Sequence, residues 1–339
     1  MRSFLVIFIL MILGVSTDLK AQMADDEENT FYQTFPDHIM GRLYLSRKYT
    51  SLWLRDNVEG QSYLFAPNST LNHGLGATYK WATLNLAYGF EALNPDRGRG
   101  DTQYLDLQAH AYPKNFVLDF FGQFYRGFHL SEKERGAPPD ERYYNDPNLR
   151  LTKVGIFWQY LFNPDKFSFR ASFLNNEWQK RSAGSLMAGF EMYGGRVMAD
   201  SLLLPETLVL NPERNFRTLR FFEFGPNVGY AYTLVIKKHW FITGAASANL
   251  GFGYSQQESH PDRNTQWGIN PNLFLRGFAG YNSEKWSINA NYVHNRVRLI
   301  DNQDFSQAVM TGNYRLNFVY RFLPGPQLKK HLDVLDFMD

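Results

Sequence analysis

The pair of residues best suited to acid–base chemistry in this chain is Asp106 with His110, four positions apart on an extended segment and so on one face. Joined by a nucleophile, a histidine and a carboxylate of this kind would serve a hydrolase or acyltransferase, and Ser168 or Ser172 are the candidate hydroxyls. No nucleophile-elbow motif accompanies them. The eight histidines are scattered, without a His-Glu-x-x-His pattern, and cysteine is absent, which removes thiolate nucleophiles, disulfides and cysteine-ligated metals. Gly98 and Gly100 sit among arginines in a loop with no helix after it, so a phosphate-binding loop is not supported. Asn68-Ser69-Thr70 matches a glycosylation acceptor only weakly. The expectation is no catalytic residue, no metal and no cofactor.

Any polar chemistry must instead come from one face of a set of strands. Period-two alternation dominates as far as Phe322. In the last segment Tyr314, Leu316, Phe318, Tyr320 and Phe322 share one face, and Asn313, Arg315, Asn317, Val319 and Arg321 share the other. Leu84 to Phe90, Ile242 to Phe252 and Trp286 to Tyr292 repeat the arrangement. A soluble two-sheet sandwich also alternates, with its apolar face inward. Length decides between them: segments such as 115–129, 239–256 and 267–281 exceed the ~5 to 6 residues of soluble strands and suit the ~9 to 11 of a tilted membrane strand. The apolar face then meets lipid. Parity places Asp106, His110, Asp119, Arg170, Glu191, Glu223, Arg276 and Arg315 toward a lumen, with Gln123, Lys153, Asn249, Asn272, Asn291 and Asn317. An arginine at the lipid-facing midplane costs roughly 2 to 4 kcal/mol, so Arg276 and Arg315 should point inward and pair with Glu223, Glu191 or Asp119.

Turns give a second signal. Tight connections around Lys80, at Pro113-Lys114-Asn115, Asn163 to Lys166, Lys237-Lys238-His239 and Asn282 to Lys285 are bracketed by Trp81, Tyr112, Phe116, Phe162, Phe167, Trp240, Tyr281 and Trp286. With Phe322, these rings are expected at a membrane interface, apolar body in lipid and polar edge among headgroups. Longer polar connections, including 94–101, 131–148, 257–266 and 301–310, alternate with them, as in outer-membrane barrels. Thirteen segments read as crossings, among them 60–80, 167–178 and 184–194, although both ends on one side require an even number. Treating 179–215 as one excursion gives about twelve strands; a crossing at Leu202 to Leu210 would give fourteen, but Pro205 argues against it.

The chain is 339 residues long, 44% hydrophobic and 17% aromatic, with 35 basic against 33 acidic residues, a balance that gives no reason to expect nucleic acid as partner. Mean hydropathy of −0.40 is too polar for a bundle of apolar helices. Arg2 followed by the apolar run Phe4 to Val15 reads as an export signal, far short of the ~20 residues of a spanning helix, with cleavage near Ala21 or Gln22. The expected layout is a signal peptide over 1–22, a loose segment over 23–40, a barrel over 41–323 and a periplasmic tail over 324–339.

Tyr112-Pro113-Lys114-Asn115, Phe162 to Ser168, Gln179 to Ser185 and Gly225 to Tyr232 resemble segments of a family of predicted outer-membrane barrels in Bacteroidetes-type bacteria, domain of unknown function 4421. The resemblance implies location and fold and brings no activity. The resulting expectation is an antiparallel transmembrane β-barrel of the outer membrane, acting as a structural envelope protein or a small passive pore. Its partners would be outer-membrane lipids and lipopolysaccharide, with barrel-assembly machinery during insertion. A lipid-modifying enzyme and a secreted carbohydrate-binding β-sandwich are the alternatives.

Overall fold

The computed structural model describes residues 31–79, 82–89, 94, 97–208, 214–259 and 262–332. The export signal and Trp81 lie outside the described residues. Among those described, the chain forms β1 (Tyr32–Thr34), β2 (Ile39–Asp56), β3 (Ser62–Ala66), β4 (Asn72–Tyr79), β5 (Ala82–Tyr88), β6 (Gln103–Ala111), β7 (Phe116–Leu130) and β8 (Asn145–Leu161). A short helix α1 (Phe169–Phe173) and β9 (Glu177–Gln179) follow. The remainder is β10 (Ala183–Met198), β11 (Thr218–Ile236), β12 (Trp240–Ser259), β13 (Asp262–Asn282), β14 (Trp286–Arg298), β15 (Phe305–Phe322) and the exposed helix α2 (Pro326–Leu332).

Antiparallel pairing runs from β15 back through β10 to β8 and β7, and β15 pairs along its whole length with β2, from Phe305 opposite Asp56 to Phe322 opposite Ile39. With β3 bridging β2 and β7, ten strands close a ring. This closure excludes the two-sheet sandwich. It also corrects the expected count of about twelve, because β4, β5 and β6 join only one half of the wall. β2 pairs with β4 over Ile39 to Ser46 and with β3 over Leu52 to Arg55, so the segment read as one crossing over 60–80 is split in two. β7 changes partner likewise, from β6 to β3, across an irregularity at Gly127. Gly127 has φ +87°, and a Cβ there would stand 2.1 Å from the Asp101 carbonyl oxygen, so the bulge requires glycine.

The outer face is apolar around the whole ring. On β15 Tyr314 to Phe322 alternate as expected, with Leu316 46% exposed and Val319 fully buried. Leu43, Leu75, Leu105, Val154, Leu186, Val228, Ile242 and Ile288 continue the belt on other strands. At the end carrying the termini, Trp240, Tyr281 and Trp286 pack ring to ring at 5.1 and 5.0 Å. Toward the opposite, loop-bearing end Phe252, Tyr254 and Trp267 form a second group, with Trp267 5.9 and 5.1 Å from the other two. Trp240 and Phe252 lie twelve residues apart on β12. At ~3.3 Å per residue and ~40° tilt that is roughly 30 Å, the thickness of a bilayer's hydrocarbon.

Three sequence expectations fail inside the barrel. Segment 167–178 is not a crossing: it folds into the terminal end as α1 and β9, with Phe167, Phe169, Ala171, Ser172, Asn175 and Trp178 buried. Consequently 184–194 is a spanning strand, and 179–215 is not one excursion. Apolar residues that alternate weakly can serve an inward-folded plug as well as a strand: Phe169 is buried, and Phe173 packs half-buried against the same core. Nor are residues 31–40 loose, since β1 pairs with β9 and Phe35 and Met40 are buried. At the loop end the chain after β10 turns inward, burying Leu203, Leu204 and Phe216 against Leu52, Leu54, Phe65 and Phe305, with a 3-10 turn at Glu206–Leu208.

Candidate functional site

The chemistry lies in a polar layer between these two apolar ends. Parity of each strand, set by the lipid belt, turns Asp119 (β7), Lys153 (β8), Glu191 (β10), Glu223 (β11) and Arg276 (β13) inward, each at most 5% exposed. Asp119 is the centre of one cluster. It forms an ion pair with Arg276, accepts from Tyr112 Oη at 2.7 Å and lies 2.6 Å from His110 Nδ1. The Arg276 guanidinium lies over the rings of Phe274 at 4.0 Å and Phe157 at 4.8 Å, which offsets part of its desolvation.

Asp106 is not the partner of His110. It faces β2 instead, 3.2 Å from Lys48 Nζ, and accepts from Tyr125 Oη at 2.9 Å and Gln108 Nε2 at 2.8 Å. Four residues on one strand are too far apart for contact, and the neighbouring strand supplies a nearer carboxylate in Asp119. Neither candidate serine reaches His110: Ser168 caps α1 and donates to Glu177, and Ser172 lies 2.6 Å from Thr243 Oγ1. The Tyr112 hydroxyl lies 3.3 Å from His110 Nδ1. A phenol and an imidazole sharing one carboxylate make a rigid hydrogen-bonded knot, not a nucleophile with its base.

The remaining candidates divide. Arg170 is on α1 rather than on a strand, paired with Glu177 at 3.2 Å. Glu223 accepts from Asn272 at 2.5 Å and Glu191 from Asn227 at 3.5 Å, so neither pairs with an arginine as expected. Lys153 donates to Asn295 at 2.9 Å beneath the Tyr193 ring. Arg315 lies over the Tyr44 ring at 4.6 Å. Among the interface aromatics, Phe162, Trp240, Trp286 and Phe322 are exposed and Phe116 and Tyr281 half-buried. Tyr112 and Phe167 are corrected: both are buried in the terminal-end core, Tyr112 because it continues the inward parity of Asp106 and His110, and Phe167 because the chain there folds inward into α1. Among the described residues no three His, Asp or Glu side chains gather as metal ligands.

Sequence reasoning missed Arg42 and Lys48. Both stand on the even face of β2 with Met40, Tyr44 and Ser46, and the same parity rule applied to 39–56 would have turned them inward.

The domain of unknown function DUF4421 matches residues 24–322. The chain belongs to this family. A search of curated proteins gives no match. Solved structures with a similar arrangement include the outer membrane protease OmpT of Escherichia coli, 10% identical over 88% of this chain and 100% of that one, TM-score 0.38. Others are the translocator domain of the autotransporter NalP of Neisseria meningitidis, 9% identical over 90% and 94%, TM-score 0.35, and the toluene transporter TodX of Pseudomonas putida, 8% over 84% and 90%, TM-score 0.30. At these values no activity passes from them to this DUF4421 chain.

Proposed function

We propose that this DUF4421 protein is an integral outer-membrane barrel, exported through the signal in residues 1–22, whose filled interior makes it an envelope protein rather than an open pore. The observation carrying this reading is the double occlusion: α1 and β9 fill the terminal end, and Leu203, Leu204 and Phe216 fill the loop end. A barrel closed to flow still presents an apolar belt to lipid and polar loops outside it. Membrane lipids, lipopolysaccharide and the barrel-assembly machinery are the partners this reading assigns. Lipid hydrolysis is disfavoured because the candidate hydroxyls Ser168 and Ser172 meet Glu177 and Thr243 and not His110.

Two measurements test it. The protein should need detergent for extraction and migrate faster on gels unheated than boiled. In planar bilayers it should give no conductance steps; regular steps from folded wild-type protein would refute the occluded reading.

A further inference from the structure

We propose that the barrel wall opens sideways between β5 and β6, and that this port admits the anionic headgroup of a membrane amphiphile to Arg42, Lys48 and Arg315. The proposal rests on the membrane placement above. Among the described residues β5 pairs only with β4, and β6 only with β7. Above them β3 holds β2 to β7, so the ring stays closed at the loop end and the gap is confined beneath β3.

The gap lies at hydrocarbon depth. On one side the belt continues through Leu43, Leu75 and Leu86, which face one another across β2, β4 and β5, and on the other through Leu105 and Leu107. Backbone groups left unsatisfied in hydrocarbon are strongly unfavourable, so such a strand edge persists only beside water or a polar occupant. Exposure agrees with an opening. Asn85 and Ala87, on the inward face of β5, are exposed, whereas every inward residue of β12 from Phe241 to Gly253 is buried.

The lining selects the occupant. Arg42 donates to Asn85 on the β5 edge at 3.3 Å and to the Leu174 carbonyl at 2.7 Å. Lys48 reaches across to Asp106 on β6 at 3.2 Å. Arg315 stands opposite Ser46, which lies between Tyr44 and Lys48 on the inward face of β2, and among the described residues its buried Nε has no hydrogen-bond partner. Among the described residues only Lys48 of these three cations contacts a carboxylate, and Arg42 and Arg315 meet an amide, a carbonyl and a ring instead. Residual positive charge behind an apolar rim is complementary to a phosphate or carboxylate whose acyl chain stays in the bilayer.

The test uses the full chain reconstituted in vesicles of mixed phosphatidylglycerol and phosphatidylcholine, with lipids retained after detergent extraction read by native mass spectrometry. Wild type should retain the anionic lipid selectively, and Arg42→Gln with Arg315→Gln should lower retention about tenfold or more. Lys329→Gln with Lys330→Gln, on the exposed tail, should leave it unchanged. Competition with dodecanoate separates a carboxylate site from a phosphate site. Because the chain has no cysteine, Leu86→Cys with Leu107→Cys gives a clean lock, and cross-linking it before reconstitution should abolish retention. Equal retention of both phospholipids, no loss in the arginine variant, or undiminished retention after cross-linking would overturn the proposal. Heat-modifiability of the same samples shows separately whether the membrane barrel itself is at fault.

Discussion

Asp119 gives the sharpest test of the filled interior. Its side chain and that of Arg276 are 1% and 3% exposed, and Asp119 also holds Tyr112 and His110. Asp119→Ala therefore strands a guanidinium beneath Phe274 and Phe157, where cation–π contact contributes about 1 to 2 kcal/mol and cannot replace the ion pair. Breaking a buried pair from one side costs about 3 to 5 kcal/mol. Removing both charges is different, since Met in place of Arg276 fills similar volume among the same rings. The double variant Asp119→Ala with Arg276→Met should recover more than half of the loss. Urea unfolding in detergent micelles, followed by tryptophan fluorescence, measures both. A single variant within about 1 kcal/mol of wild type would show that water reaches Arg276 and that the interior is not filled there. A double variant no better than the single one would show that packing, not charge, accounts for the loss.

Other predictions follow the same geometry. Leu316→Arg, in the middle of the belt between Leu45 and Ala290, should cost about 2 to 4 kcal/mol in the same assay, and Tyr320→Arg nearer the terminal end distinctly less. Asn175, fully buried at φ 58°, accepts from Asn289 at 2.6 Å; Asn175→Ala should be about 1 kcal/mol more destabilising than Asn175→Gly, which loses the hydrogen bond but not the conformation. Gly127→Ala should cost more than about 2 kcal/mol, because its Cβ would meet the Asp101 carbonyl, and the yield of heat-modifiable protein should fall.

The lipid-facing pattern was legible in the residues themselves. Where one side of a strand meets hydrocarbon and the other meets polar neighbours, side chains must alternate, and the stretch from Asn313 to Phe322 of β15 and that from Trp240 to Gly253 of β12 carry that alternation. Parity then places Asp119, Glu191, Glu223 and Arg276 inside, because a period of two leaves no other choice once one face is fixed. Which inward groups meet was decided only by the closed barrel. His110 faces Asp119 rather than Asp106, and Lys48 crosses to Asp106, since these contacts depend on which strands are neighbours and in what register. Tertiary structure alone also turned 167–178 into a plug and left β5 and β6 without each other. A short run of aromatic residues satisfies a lipid face and a buried core equally well, and local pattern holds no record of the long-range pairing that separates them.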